Sequence, residues 1–340
     1  MTISPEENSE NLENPPPSGM IAAPEPQPED TKVLEPREPL PELVTSAHWS
    51  SADTGDASLL FQQFLRPEIP KQIRIPHMGH VGILALLALC GLAIAALIAR
   101  AAVYYRLFGV TTITEAATEI HYTLGTEGIF YLLTLGGCLL VFPSVWHKGL
   151  FRGLQWRLGT ALKQRNYLIS AAVVCFILAM LDGWLMPGPS DAPIDRIFRM
   201  PGAAWILFGF GVTVAPFFEE LAFRGFLLPA LCTAFDWIAE KVTHEPPHLL
   251  DENDHPQWST PAMVVAAILT SILFAFMHAD QTGYSIGPFL LLIIVSLVLC
   301  WARLSTRSLA ASIMVHACYN FLLFSFMFLG TGGFRHLDNM

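Results

Sequence analysis

Six side chains of this 340-residue sequence combine the types and spacings that hydrolysis needs. Glu219, Glu220 and Arg224 stand in Phe217 to Phe226, which reads F-F-E-E-L-A-F-R-G-F. His278 closes the run from Phe274, and His316 and Asn320 lie within Ile313 to Phe321. Each group sits in a stretch otherwise apolar enough to enter a bilayer, where an ionisable side chain costs about 2.5–3.5 kcal/mol even on a lenient insertion scale. So many polar groups are tolerable there only if they face one another or a water-filled cavity. Such a cavity has the parts for hydrolysis: one group takes a proton from water, another holds that water, and neutral or cationic donors stabilise the oxyanion of a tetrahedral intermediate.

Helical spacing separates the two neighbouring glutamates. Glu220 and Arg224 are four apart on one face and can pair, whereas Glu219 is turned by roughly 100° and left available. His316 and Asn320 also share a face. Singly, a histidine in an apolar helix is more often hydrogen-bonded structure than catalyst, and an intramembrane asparagine is often helix-packing glue. Three segments supplying such groups together point to one site.

The elements that must position these residues are membrane spans. Of the chain, 53% is hydrophobic and 14% charged, with a mean hydropathy of +0.46. This composition predicts an all-α polytopic membrane protein, a bundle of about seven or eight transmembrane helices around a polar intramembrane cavity. A helical span needs about 20 apolar residues. Candidates run over 81–99, 124–146, 167–186, 203–218, 261–279, 286–302 and 309–329. The motif segment continues to about 238 as an eighth span, a re-entrant piece or an extension of the fourth across a kink at Pro216.

Residues 1–75 are acidic and proline-rich, which predicts a disordered tail. Spans with a basic loop follow over 76–164, the core that carries the site over 165–332, and a short tail over 333–340. The net charge of −10 is concentrated in the first tail and in a loop near residue 250, which excludes a nucleic-acid surface. The six cysteines lie in or beside apolar stretches without a C-x-x-C pair, as small buried hydrophobes do. His244-Glu245-Pro246-Pro247-His248 fits the H-E-x-x-H expression of zinc proteases, but two prolines between the histidines argue against the helix that this motif requires. Lys148, Arg152, Arg157, Lys163 and Arg165 after the second span, with Lys71 and Arg74 before the first, put the N-terminus and the 147–166 loop in the cytoplasm.

In order along successive segments, Glu219-Glu220-x-x-x-Arg224, Phe274-x-x-x-His278 and His316-x-x-x-Asn320 resemble the three signature motifs of the CPBP family of intramembrane endopeptidases. That family includes the CAAX prenyl proteases and the bacteriocin-processing proteins. The resemblance spans about 165–330 and implies a protease that hydrolyses a peptide bond of a membrane-associated substrate. It implies that Glu219 is the general base acting on water together with His278. His316 and Asn320 would then stabilise the oxyanion, and Glu220 with Arg224 would orient the first carboxylate or contact substrate. No cofactor is expected; the alternative is a zinc ion on Glu219, His278 and His316, a His-His-Glu set with an open fourth position. The expected partners are membrane lipid and a peptide or protein substrate, prenylated or otherwise membrane-anchored, in the plasma membrane. The competing reading is a transporter or scaffold that uses the same buried polar groups without proteolysis.

Overall fold

The computed structural model describes residues 74–186, 193–200, 202–244, 246, 248, 250–251 and 255–335. The expected disordered tail lies outside them, apart from its last two residues.

Among the described residues, seven helices are long and apolar enough to cross a membrane: α1 (Met78–Tyr104), α2 (Ile120–Trp146), α3 (Arg165–Leu185), α4 (Ala203–Thr243), α5 (Thr260–His278), α6 (Ile286–Thr306) and α7 (Leu309–Gly330). Short helical turns fill the connections, and among the described residues the only β pairing is an isolated bridge between Leu250 and Pro256. The expected bundle is therefore present. Large apolar side chains such as Leu89 and Leu97 of α1 point outward, as lipid-facing residues must when the hydrophobic effect does not drive helices together. Contact instead relies on small residues. A Cβ on Gly91 would lie 2.9 Å from Thr134 Oγ1, so α1 and α2 meet there backbone to backbone.

The motif segment proves to be the continuation of the fourth span. α4 runs for 41 residues and contains two π-helical stretches, Phe210–Val214 and Leu221–Leu227. Pro216 breaks nothing. A proline needs the carbonyl four residues back moved aside, and the wide π-turn just before it opens the ladder at that point. At roughly 1.5 Å per residue the helix is about twice as long as the hydrocarbon core is thick. Its last part packs Leu228 and Cys232 against Ala266 of α5 and Cys300 of α6.

Polar contacts tie the connections at this end. Buried Glu240 accepts from Arg74 Nη2 at 2.6 Å and from the backbone and ring of His248, which joins the approach to α1 to the end of α4. His244 has φ +57° as it caps α4, so the two histidines of H-E-x-x-H do not share a helix. His255 stands between Arg157 and Asp251; burial and the Arg157 charge push its imidazole pKa down, which suits a ring nitrogen that accepts from the guanidinium. Apolar packing joins α3, α6 and α7 in one cluster and α1, α2 and α4 in another. The two clusters flank the segment that carries the glutamates.

Candidate active site

The helices bring all six residues picked from the sequence to one place, in two layers. The first layer is dry. Glu220 and Arg224 are both fully buried and pair at 2.8 Å one turn apart on α4. Arg224 also donates through Nη2 to the backbone oxygen (3.1 Å) and the hydroxyl (2.6 Å) of Ser296 on α6, and its guanidinium lies 4.7 Å from the centre of the Phe274 ring. Glu220 Oε1 accepts in addition from His316 Nδ1 at 2.9 Å. Below them Arg303, equally buried, donates Nε–H to the carbonyl of Arg224 at 3.1 Å and Nη2–H to that of Leu154.

The second layer faces a cavity of about 630 Å³, which Glu219, Phe274, His278, His316 and Asn320 help to line. Glu219 Oε2 lies 3.6 Å from His278 Nε2 and 3.8 Å from His316 Nε2. It is buried and takes no hydrogen bond. The far side of each ring is anchored: His278 Nδ1 is 2.8 Å from the carbonyl of Phe274, and His316 Nδ1 meets Glu220. A carbonyl only accepts, so the Nδ1 of His278 carries a proton, and its Nε2, when the ring is neutral, presents a lone pair toward Glu219. Asn320 Nδ2 donates to the carbonyl of Gly211 at 2.7 Å. That carbonyl belongs to the first π-stretch, where the i→i+5 pattern loosens the backbone ladder. Gly211 also lets α7 approach, since a Cβ there would sit 2.9 Å from the Phe324 ring.

The second π-stretch repeats the arrangement. Its Arg224 carbonyl is the one Arg303 reaches. Each widened turn of α4 thus offers an oxygen that a side chain from a later helix takes up.

Several residues of the site escaped sequence reasoning. Glu127 of α2 lines the same cavity, and its carboxylate accepts from the Tyr131 hydroxyl at 2.8 Å; the Tyr131 ring stacks on Phe218, the neighbour of Glu219. The signal was available, because Glu127 is the only Asp, Glu, Lys, Arg or His between Leu124 and Trp146. Arg303 and Ser296 also went unnoticed, the first because an arginine near a span end reads as a loop charge and the second because one serine in an apolar helix is unremarkable.

Zinc accepts a His-His-Glu donor set in principle. Among the described residues, however, no three His, Cys, Asp or Glu side chains stand in an arrangement able to hold a metal ion, Glu219, His278 and His316 included.

No curated protein and no solved structure matches the chain. Residues 201–322 match the family model described as Type II CAAX prenyl endopeptidase Rce1-like, and the match begins just before α4 and ends just after Asn320. That is a protease family, and the seven apolar helices among the described residues make the chain an integral multi-pass membrane protein. All three motifs thus lie inside the segment, residues 201–322 of 340, that is similar to the Rce1-like type II CAAX prenyl endopeptidases.

Proposed function

We propose that the protein is a metal-free intramembrane endopeptidase in which Glu219 is the general base. The observation that carries this reading is the unpartnered, buried Oε2 of Glu219 facing the Nε2 atoms of two anchored imidazoles across 3.6 and 3.8 Å. A water there donates one hydrogen to Glu219 and the other to the lone pair of His278. Glu219 removes a proton as the oxygen attacks the peptide carbonyl, then passes it to the leaving nitrogen. The carbon–nitrogen bond breaks, and a carboxylate and an amine result.

The oxyanion formed in between needs donors fixed in advance. Asn320 has a second N–H beside the one spent on Gly211. His316 keeps Nδ1–H on Glu220 and turns Nε2 toward the cavity, where it offers a further N–H when the ring is protonated. Glu220 and Arg224 are positioning residues in this scheme: they orient His316 and, through the helix they share, Glu219.

The test is cleavage of a membrane-anchored peptide library by reconstituted protein. Glu219→Gln keeps the shape and removes the base, and cleavage is expected to fall by about 10³-fold, within the range of general-base contributions. Unchanged cleavage in that variant overturns the assignment and returns the protein to the scaffold or transporter class. Metal content is measured on the same preparation, and chelation is expected to leave cleavage intact. Stoichiometric zinc whose removal abolishes activity would replace glutamate-only chemistry.

A further inference from the structure

We propose that Glu127 of α2 is a specificity-determining residue, and that its carboxylate takes the cationic head of a lysine or arginine side chain near the scissile bond of the substrate. This deepens the protease reading and rests on it for the scissile bond, though not for the capture of a cation. Glu127 lies outside residues 201–322, the segment similar to the family, so its charge is a property of this chain's own α2.

The carboxylate is held in place. Tyr131, one turn further along α2, donates its hydroxyl to Glu127 Oε1 at 2.8 Å. The Tyr131 ring is itself fixed against α4, stacked on Phe218 with centres 4.4 Å apart and on Phe210 at 6.1 Å. A carboxylate clamped through its neighbour has little left to order when a ligand arrives. Glu127 is half-buried in the cavity wall, so it can be reached from within.

The wall does not offset its charge. Glu219 has His278 and His316 across 3.6 and 3.8 Å, whereas Glu127 has a neutral phenol. Among the described residues no lysine or arginine lines the cavity, and the two carboxylates are near enough to repel each other. Where the dielectric constant is low, such a pair draws a cation strongly. A metal ion is not the occupant that fits, because among the described residues no three His, Cys, Asp or Glu side chains stand together to hold one. An organic cation carried in by the substrate needs no such set. The wall beside Glu127 suits the rest of it, since Leu124 of α2 and Leu207 and Phe210 of α4 are apolar. Lysine and arginine lay an apolar stem along such a surface and carry the charge at its end.

The helix also fixes how far the cation sits from the chemistry. Tyr131 is level with Phe218, the neighbour of Glu219, and Glu127 stands one turn, roughly 5–6 Å, along α2 from it. An extended peptide advances about 3.3 Å per residue. The basic residue therefore lies within about three residues of the scissile bond.

The experiment uses members of the membrane-anchored peptide library, acetylated at the N-terminus so that no free amine competes. Lysine or its neutral isostere norleucine is placed at each of the three positions on either side of the scissile bond. The full chain, reconstituted, is expected to cleave the lysine peptide with a kcat/KM about tenfold higher at one of these positions, as a charge-assisted hydrogen bond provides. Glu127→Gln keeps the shape and an oxygen for Tyr131, and in it the ratio is expected to fall to about one. A ratio near one in the unsubstituted protein, or a preference that survives Glu127→Gln, overturns the proposal whatever happens to the absolute rates. Binding of the same peptides to the Glu219→Gln protein, read by fluorescence anisotropy, does not depend on proteolysis. There the lysine peptide is expected to bind about tenfold tighter than the norleucine peptide, and the double variant Glu219→Gln, Glu127→Gln to bind both alike. Equal binding to the Glu219→Gln protein overturns the proposal. If binding shows the preference while no cleavage responds to Glu219→Gln, the protease reading fails and the cation site at Glu127 stands.

Discussion

Glu219 and Glu220 are adjacent in the chain and belong to opposite regimes. Glu220 sits in a dry layer where its Oε1 is held by Arg224 and His316, with further contacts running to Ser296 and Arg303. Glu219 sits at the wall of a cavity with separations too long for direct hydrogen bonds and one oxygen without a partner. Both carboxylates are expensive in a membrane. The dry layer offsets most of that cost by direct pairing and so fixes geometry; Oε2 of Glu220 is also buried without a partner there, but of the two carboxylates only Glu219 borders the cavity, where an unpartnered oxygen is what a water molecule or a transition state can use.

The contrast breaks most easily at Glu219. Glu219→Gln is expected to lower cleavage by about 10³-fold while the melting temperature in detergent stays within a few degrees, because no protein contact of Oε2 is lost. A large fall in melting temperature would show that Glu219 is structural too, and the two regimes would merge. Next in size is Arg224→Ala, which strands Glu220 as a buried, half-paired charge and is expected to cost about 3–5 kcal/mol of stability, read by thermal or detergent-induced unfolding. Arg224→Lys should recover only part of this, since a point charge cannot reach Glu220 and both Ser296 oxygens as the planar fork does. The smallest effect belongs to Tyr131→Phe. It removes the hydrogen bond that Tyr131 donates to the Glu127 carboxylate and should cost about 0.5–1.5 kcal/mol. A loss near that of Arg224→Ala would mean that the cavity wall is held as tightly as the layer below it.

Much of this was legible in the sequence. Apolar runs gave the seven spans to within a few residues at most ends, because backbone satisfaction in lipid leaves little besides a helix. The i,i+4 spacing of Glu220 and Arg224 gave their pair, and the cost of intramembrane charge gave the convergence of the three motifs. What stayed hidden depends on contacts between helices far apart in the chain. Nothing in Phe210 to Val214 marks a π-turn, so Pro216 read as a kink in a span that in fact continues. The grip of Asn320 on Gly211 and of Arg303 on the Arg224 carbonyl requires those widened turns, and so could not be read from either partner alone. Glu127 was a different failure, since the reasoning that singled out Glu219 applies to it unchanged.

The sealed layer has an electrical side as well. A cavity that admits water brings one bulk phase deep into the bilayer and thins the insulator that remains. The transmembrane voltage then falls mainly across the compact slab around Glu220, Arg224 and Arg303, where each elementary charge moved would be worth about 2.3 kcal/mol per 100 mV. Glu219 sits on the aqueous side of that drop. On the proposed mechanism, proton traffic between Glu219, water and the leaving amine would cross almost none of the field, so turnover would be electrically silent and leave the membrane charged.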